Sequence, residues 1–498
     1  MGIRITVSRF WWLGGLFIFL AALSGAAARL NVVLFTADDL GAGVMGVSSM
    51  GGQLPGLTPN LDGLAARGVR FFNAHVNSGI CVPSRGIMAT GRYGFSSGVY
   101  GFRRAHEDVP LLMELLRDHG YLTGILGKVD HSSVKASYRW DYARDYGDLG
   151  SGRSPTRYEE CSTEFFRQSA AAGKPFYLMV NSHDPHRPFQ EPGKMLPGAE
   201  APSKWYQPGE IPVPGFLPDL PGVRTELASY YNSVRRLDDT FGRVMAAVRA
   251  AGLENSTVVI FLSDNGSATP FGKANCYIAS THTPLIVVWP GVSKPGLMDR
   301  KHFVSGIDLF PTLFAGLGFP APAGMAGRSF LPLLRGEMQN GRDSVFTQID
   351  YMINGPARPM RCVQDHDYAY IFNPWSDQAT AYRNNNEGQI MKAMVEAAST
   401  QSSVAARVQL FRYRAVEELY DLRNDPDSLR NLIESPAHAA AVRKYREKLR
   451  ALMVTHGDPL LATFDARENP IRMKAAMDEC YLTALPPGKP GEVTGVKN

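Results

Sequence analysis

Cysteine is scarce in this sequence, with five in 498 residues, and no two are spaced as Cys-x-x-Cys. That absence argues against a zinc ribbon or thiol–disulfide exchange as the working chemistry. Excess charge is scarce too. The 52 basic and 47 acidic residues leave a net charge of +5, which gives no warrant for nucleic-acid binding and leaves room only for a locally basic pocket around an anion. No internal repeat is present, so a solenoid is excluded. The apolar run from Trp11 to Leu23 is short for a membrane span. It follows Arg4 and Arg9 and leads into small residues through Ala28, so 1–28 reads as a cleaved export signal. No cysteine follows the run, which excludes lipoprotein attachment. The expected location is an exported one: periplasmic, secreted or lysosome-like. In such a compartment disulfides and free thiols both remain open for Cys81, Cys161, Cys276, Cys362 and Cys480.

What is present is globular. Hydrophobic residues make up 44% and charged ones 20%, and the length suggests two or three domains. Strands are predicted at Asn31–Thr36, Tyr121–Leu126, Phe176–Asn181, Thr257–Leu262 and Pro284–Trp289, from short apolar, partly β-branched runs. Helices are predicted between them: from Pro59, with Thr58 as cap and Gly68 as stop, then Pro110–His119 and Arg224–Ala251. Strands alternating with helices imply a mainly parallel sheet covered on both faces, an α/β fold. Beyond about residue 360 the texture changes. Cys362–Phe372 and Glu418–Leu422 read as strands and Pro436–Val454 as a helix, a smaller α+β unit of antiparallel sheet plus helix. The expected division is 29–358 for the main domain, 359–485 for the smaller one and 486–498 for an unstructured tail.

Four predicted strands end in chemistry: Asp38/Asp39, Lys128/His131, His183/His186 and Asp264/Asn265. In open α/β sheets ligands bind outside the carboxyl ends of the strands, so these four ends are expected to meet at one edge. The three carboxylates and one amide oxygen of Asp38, Asp39, Asp264 and Asn265 suit a hard cation, and Ca²⁺ before zinc.

The centre of the chain's chemistry is Cys81-Val82-Pro83-Ser84-Arg85-Gly86-Ile87-Met88-Ala89-Thr90-Gly91-Arg92. Pro83 suits the first position of a helix, which puts Cys81 at the helix mouth, where free N–H groups favour negative charge. Arg85 adds a fixed positive charge one turn on. Cys-x-Pro-Ser-Arg-x-x-x-x-Thr-Gly-Arg resembles the signature of the sulfatase family at every fixed position. The resemblance extends over nearly the whole mature chain. Ser182-His183-Asp184-Pro185-His186-Arg187, Tyr100-Gly101, Pro359-Met360-Arg361 and Phe411-Arg412-Tyr413-Arg414-Ala415 are most similar to its heparan N-sulfatase (sulfamidase) branch.

The resemblance implies an alkaline-phosphatase-like fold and a sulfuric ester hydrolase that takes sulfate ester or sulfamate groups from a sulfated glycan. It implies conversion of Cys81 to formylglycine by a formylglycine-generating or equivalent maturation enzyme. It also implies one Ca²⁺ held by Asp38, Asp39, Asp264, Asn265 and the modified Cys81. Lys128 and Lys273 then match the family's sulfate-binding cations, and His183 its general acid. His131 matches the histidine of Gly-Lys-x-His, but lies one residue later here, in Gly127-Lys128-Val129-Asp130-His131. The loop Gly98–Pro110, with Arg103, Arg104, His106 and Glu107, is either a contact for an acidic polysaccharide or a solvated loop. Two rival readings are a phosphate or phosphonate ester hydrolase of the same superfamily and a silent sugar-binding homologue that keeps a Cys81 thiol. The expected partners are the saccharide and the maturation enzyme, with no nucleic acid and no membrane span after cleavage.

Overall fold

The computed structural model describes residues 1–2, 29–45, 54–353, 355–384 and 388–486. Apart from Met1 and Gly2 the export segment lies outside the described residues, as does the tail after Pro486. No described helix is long and apolar enough to cross a membrane.

Eight strands form the main sheet: β1 (Asn31–Ala37), β2 (Val69–His75), β3 (Leu122–Leu126), β4 (Tyr142–Arg144), β5 (Phe176–Asn181), β6 (Thr257–Ser263), β7 (Leu285–Val288) and β8 (Leu297–Ser305). A second, antiparallel sheet holds β9 (Val345–Tyr351), β10 (Ala357–Gln364), β11 (Tyr368–Phe372) and β12 (Glu417–Asp421). The main sheet runs β4-β3-β5-β1-β6-β7-β2-β8. β1 lies at its centre, parallel to β5 and β6, and β7 runs against both β6 and β2. This is the expected α/β architecture.

The central strands are buried at every position and mostly apolar because both faces are covered. Val33, Phe35 and Ala37 of β1 join one core with Leu178 and Val180 of β5 and Phe261 of β6, under the helices Pro155–Ala172 and Pro221–Ala250. Val32 and Leu34 point the other way and join Met179, Ile260 and Leu262 under the helix Cys81–Thr90 and its neighbours. The alternation is the period of two that a pleated strand imposes.

The small sheet departs from expectation at two points. Cys362–Phe372 is two strands rather than one: Asp365 Oδ1 accepts the N–H groups of Asp367 and Tyr368, folding an Asx turn between β10 and β11. The sheet also begins at Val345, so the expected boundary after residue 358 falls inside β10. One face of this sheet packs under the helix Ala439–His456. The other carries Met360, Cys362, Ile371 and Tyr420 against Ile80, Phe271, Ala274 and Tyr277 of the main domain. It therefore buttresses the residue before Cys81 and the loop around Lys273. All five cysteines are buried and unpaired.

Candidate active site

The carboxyl ends of β1, β5 and β6 are laced together by their own backbones. Asp38 N–H donates to the Asp184 carbonyl at 3.2 Å, Asp264 N–H to Ala37 O at 3.2 Å, and Ser182 N–H to Thr36 O at 3.0 Å. Side chains continue the lacing: Asp39 N–H reaches Asp264 Oδ1 at 3.2 Å, and Asn265 Nδ2 donates to Asp39 Oδ1 at 2.7 Å. Asp39 takes a left-handed φ of 74°, which turns its carboxylate out of the strand direction; aspartate tolerates this better than most residues.

β3 ends in a second left-handed turn, with Gly127 at φ 72° and Lys128 at φ 49°. The turn reverses the chain into the short helix Val129–Ser132 and brings Lys128 Nζ onto Asp38 Oδ2. Lys273, buried on the loop after β6, brings its Nζ to Asp39 Oδ1. The Cys81–Thr90 helix starts with Cys81 itself, Ile80 serving as N-cap. Pro83 is thus its third residue rather than its first, still within the turn whose N–H groups have no intrahelical partner.

The strand ends named from the sequence therefore meet at one place. Burial first, then the charges of Asp38 and Asp264, push the Cys81 thiol up to about 11, against Lys273 and Lys128. An unmodified thiol here is protonated at neutral pH and a poor nucleophile. Asp38 is held well below the usual carboxylate range, because Lys128, His186, Lys273 and Arg85 outweigh the cost of its burial.

The fixed positive charge of Arg85 stands behind Asp264. Its guanidinium is fully buried and bonds Asp264 Oδ2 (Nε at 3.0 Å), Thr36 Oγ1 (2.9 Å) and Asn181 Oδ1 (2.5 Å). Its charge reaches the site through Asp264. The loop arginines are also engaged within the protein. Arg104 pairs with Asp130 at 2.6 Å, and Arg103 contacts Tyr100 and the Pro486 carbonyl.

Three histidines surround the carboxylates. His131 is buried, edge-on to Phe102, and its Nδ1 has no hydrogen-bond partner among the described residues. His183 is buried beside Tyr146, and its Nδ1 is likewise unpartnered among the described residues. His186 lies with Nε2 3.9 Å from Asp39 Oδ2 and its Nδ1 2.7 Å from the Arg187 carbonyl. Burial first and the Lys128 charge second hold all three below the ordinary histidine value, His186 at about 4. They are neutral at pH 7.

The donor set fits a hard cation. Asp38 Oδ1, Asp39 Oδ2 and Asn265 Oδ1 are buried and accept no hydrogen bond among the described residues, and buried oxygens of this kind are costly unless something electropositive meets them. Asp38, Asp39 and His186 bring ligand atoms within 4.8 Å of one another. Asp264 sits beside them with Oδ2 turned to Arg85.

Thr36, Asn181 and His186 are site residues to which sequence reading gave no role. His186 had a signal in the His-Asp-Pro-His spacing. Thr36 and Asn181 are paired residues at the ends of β1 and β5, visible only once the strand register is known.

A family model described as "Sulfatase" matches residues 30–319, and one described as "N-sulphoglucosamine sulphohydrolase, C-terminal" matches residues 266–410. The chain is 30% identical over 474 residues to human N-sulphoglucosamine sulphohydrolase, covering 87% of this chain and 92% of that protein. It is 25% identical to an ulvan-active sulfatase of Formosa agariphila, over 86% of this chain and 76% of that one. Among solved structures, a protein in complex with its substrate D-glucosamine-2-N,6-O-disulfate superposes with a TM-score of 0.64 at 16% identity, covering 86% of this chain and 98% of that one. The phosphonate monoester hydrolase of Agrobacterium radiobacter superposes with a TM-score of 0.61 at 20% identity, covering 86% and 96%. At these identities the two structures establish the shared fold.

Proposed function

The chain belongs to the sulfatase family, whose members are sulfuric ester hydrolases, and from that premise we propose that it removes a sulfamate or sulfate ester group from a glucosamine-containing sulfated glycosaminoglycan after export. The observation that carries this reading is Cys81, in a complete signature, at the mouth of a helix among Asp38, Asp264, Lys128 and Lys273. Support for the substrate class comes from the sulfamidase-type match over residues 266–410 and from the human relative.

Asp38, Asp39, Asp264 and Asn265 would hold Ca²⁺ together with the modified Cys81. Bound there, the cation supplies Lewis-acid polarisation and offsets the charge of an incoming anion. Formylglycine made from Cys81 by the maturation enzyme supplies the nucleophilic oxygen that the protonated thiol cannot.

The remaining work falls to the chain's own side chains. Lys128 and Lys273 bind and orient the sulfate oxygens, as preorganised charge held on Asp38 and Asp39. Arg85 holds Asp264 in place and favours its ionised form against burial and the Asp38 charge, which push that carboxyl up to about 7. His183 passes a proton to the departing nitrogen or oxygen. His131, with its free Nδ1, takes a proton from the nucleophile side as sulfate leaves. His186 borders the metal oxygens and orients Asp39.

The test is expression with a formylglycine-generating enzyme, followed by peptide mass and turnover. The peptide holding Cys81 should lose about 18 Da, and sulfate should be released from N-sulfated glucosamine saccharides. Cys81→Ala should abolish release, and chelation should suppress it until Ca²⁺ is restored. Preferential cleavage of an aryl phosphate or phosphonate, or an unchanged thiol with no turnover, would sink the reading.

A further inference from the structure

The function proposed above gives no role to the Phe411–Ala415 motif, of which Arg414 is the most constrained residue. Arg414 is buried, 4% exposed, and caps the helix Ser402–Tyr413 with φ 57° and ψ 179°. That backbone region is almost reserved for glycine, and residues forced into it persist where the surroundings over-determine them. The surroundings here are unusual. The guanidinium carbon lies 4.7 Å from the ring centre of Tyr382, 5.0 Å from those of Tyr277 and Phe411, and 5.6 Å from that of Phe271. Its charge faces Glu418, whose carboxylate accepts the hydroxyls of Tyr277 (2.7 Å) and Tyr420 (2.5 Å).

One Arg414 N–H group leaves this box to meet Asn275 Oδ1, and Asn275 Nδ2 donates to the Lys273 carbonyl at 2.5 Å. Lys273 reaches Asp39 at the other end of its side chain. The intervening loop bears the same signature of imposed shape: Phe271 at φ 66° and Ala274 at φ 59° are both left-handed without being glycine. Ala274 is pinned twice, its N–H on Gly79 O at 2.6 Å and its carbonyl on the Tyr382 hydroxyl. Phe271 is gripped between Arg407, 3.6 Å from its ring centre, and Arg414.

We propose that Arg414 is a positioning residue for Lys273: acting through Asn275, it clamps the 271–277 loop in the shape that holds the Lys273 ammonium against Asp39. The clamp carries the C-terminal part of the chain into the chemistry of the main domain. It requires a planar guanidinium, which can stack on several rings while pointing one N–H at an amide oxygen; a lysine ammonium supplies the charge without the fork. The proposal rests on the reading in which Lys273 binds the sulfate group.

The experiment is a double-mutant cycle with an exchange measurement beside it. Arg414→Lys should lower kcat/KM for an N-sulfated glucosamine saccharide by about 10- to 100-fold, and Arg414→Lys combined with Lys273→Ala should be no slower than Lys273→Ala alone, within about twofold. Amide exchange of residues 271–277 should quicken in Arg414→Lys while that of residues 31–37 stays as in the wild type. Asn275→Ala, which leaves the aromatic box whole, should reproduce both effects and serves where Arg414→Lys does not fold. Full activity in either folded variant, additive losses in the cycle, or unchanged exchange at 271–277 overturns the proposal. A wild-type enzyme that releases no sulfate defeats the functional reading instead, and the exchange measurement then decides the clamp alone.

Discussion

Gly152 lies so close to His183 that a β-carbon on it would sit 2.1 Å from Nδ1, and its φ of 67° disfavours any side chain. Gly152→Ala must therefore push the imidazole aside. A displacement of about 1 Å at a proton-transferring group costs roughly a hundredfold in rate, so Gly152→Ala should approach the kcat of His183→Gln, and the left-handed backbone should also cost it about 1–2 kcal/mol of stability. The protonation of His183 sets a second expectation. Burial, with Lys128 and Arg153, holds the ring well below its ordinary value against the pull of Asp38. A lowered value means the ring gains its proton only in acid, so a step that consumes that proton quickens as pH falls. Between pH 8 and about 6.5 the rate should rise about tenfold per pH unit, and the slope should vanish in His183→Gln. A profile that climbs toward pH 8 would remove His183 from the acid role.

At the scale of elements, the helix Pro59–Arg67 shows how distant parts of the chain complete one another. Its N-cap Thr58 makes no side-chain capping bond. Asp238, midway along the helix Pro221–Ala250, does that work: Oδ1 accepts Leu61 N–H at 2.9 Å, and Oδ2 accepts Asn60 N–H at 3.1 Å and Asn60 Nδ2 at 2.8 Å. Asp238→Ala would strand the buried Leu61 N–H and release the half-buried Asn60 donors, and should cost about 2 kcal/mol in denaturant unfolding. The sequence contains Thr58-Pro59 as a helix start, but not this carboxylate, because nothing local links positions 60 and 238. The same division holds for the strands. β1, β5 and β6 are legible because both faces are buried and the residues between their polar ends are almost all apolar. β4 spans only three residues, and β8 carries Asp299, Arg300 and Lys301 along an edge, so neither has a pattern to read. The site was legible for a related reason: its donors follow directly on buried strands. Arg414 was visible as a motif but not as a role, since its partners Asn275 and Tyr382 come from segments apart from it in sequence.

At the scale of the molecule, the small sheet is tied to its own C-terminal helices by a buried ion cluster and to the main domain by apolar packing. Arg361 on β10 is fully buried, with Nη2 2.8 Å from Asp350 Oδ1 on β9 and Nε 2.6 Å from Asp458 Oδ2 beyond the helix Ala439–His456. Tyr481 of the last described helix adds its hydroxyl to Asp350 at 2.6 Å. Removing the cation leaves two buried carboxylates without a counter-charge, and a broken buried pair costs about 3–5 kcal/mol. Arg361→Met keeps the bulk and loses the charge. It should lower stability by that amount, and replacing Asp350 and Asp458 by Asn in the same chain should restore part of it. Because this sheet packs on Ile80 and Ala274, the loosening should also reach the neighbours of Cys81 and Lys273. Faster amide exchange at residues 271–277 in Arg361→Met, at temperatures well below unfolding, is the expected sign. Protection confined to wild-type values there, with stability lost, would mean that the small sheet supports the fold but not the site.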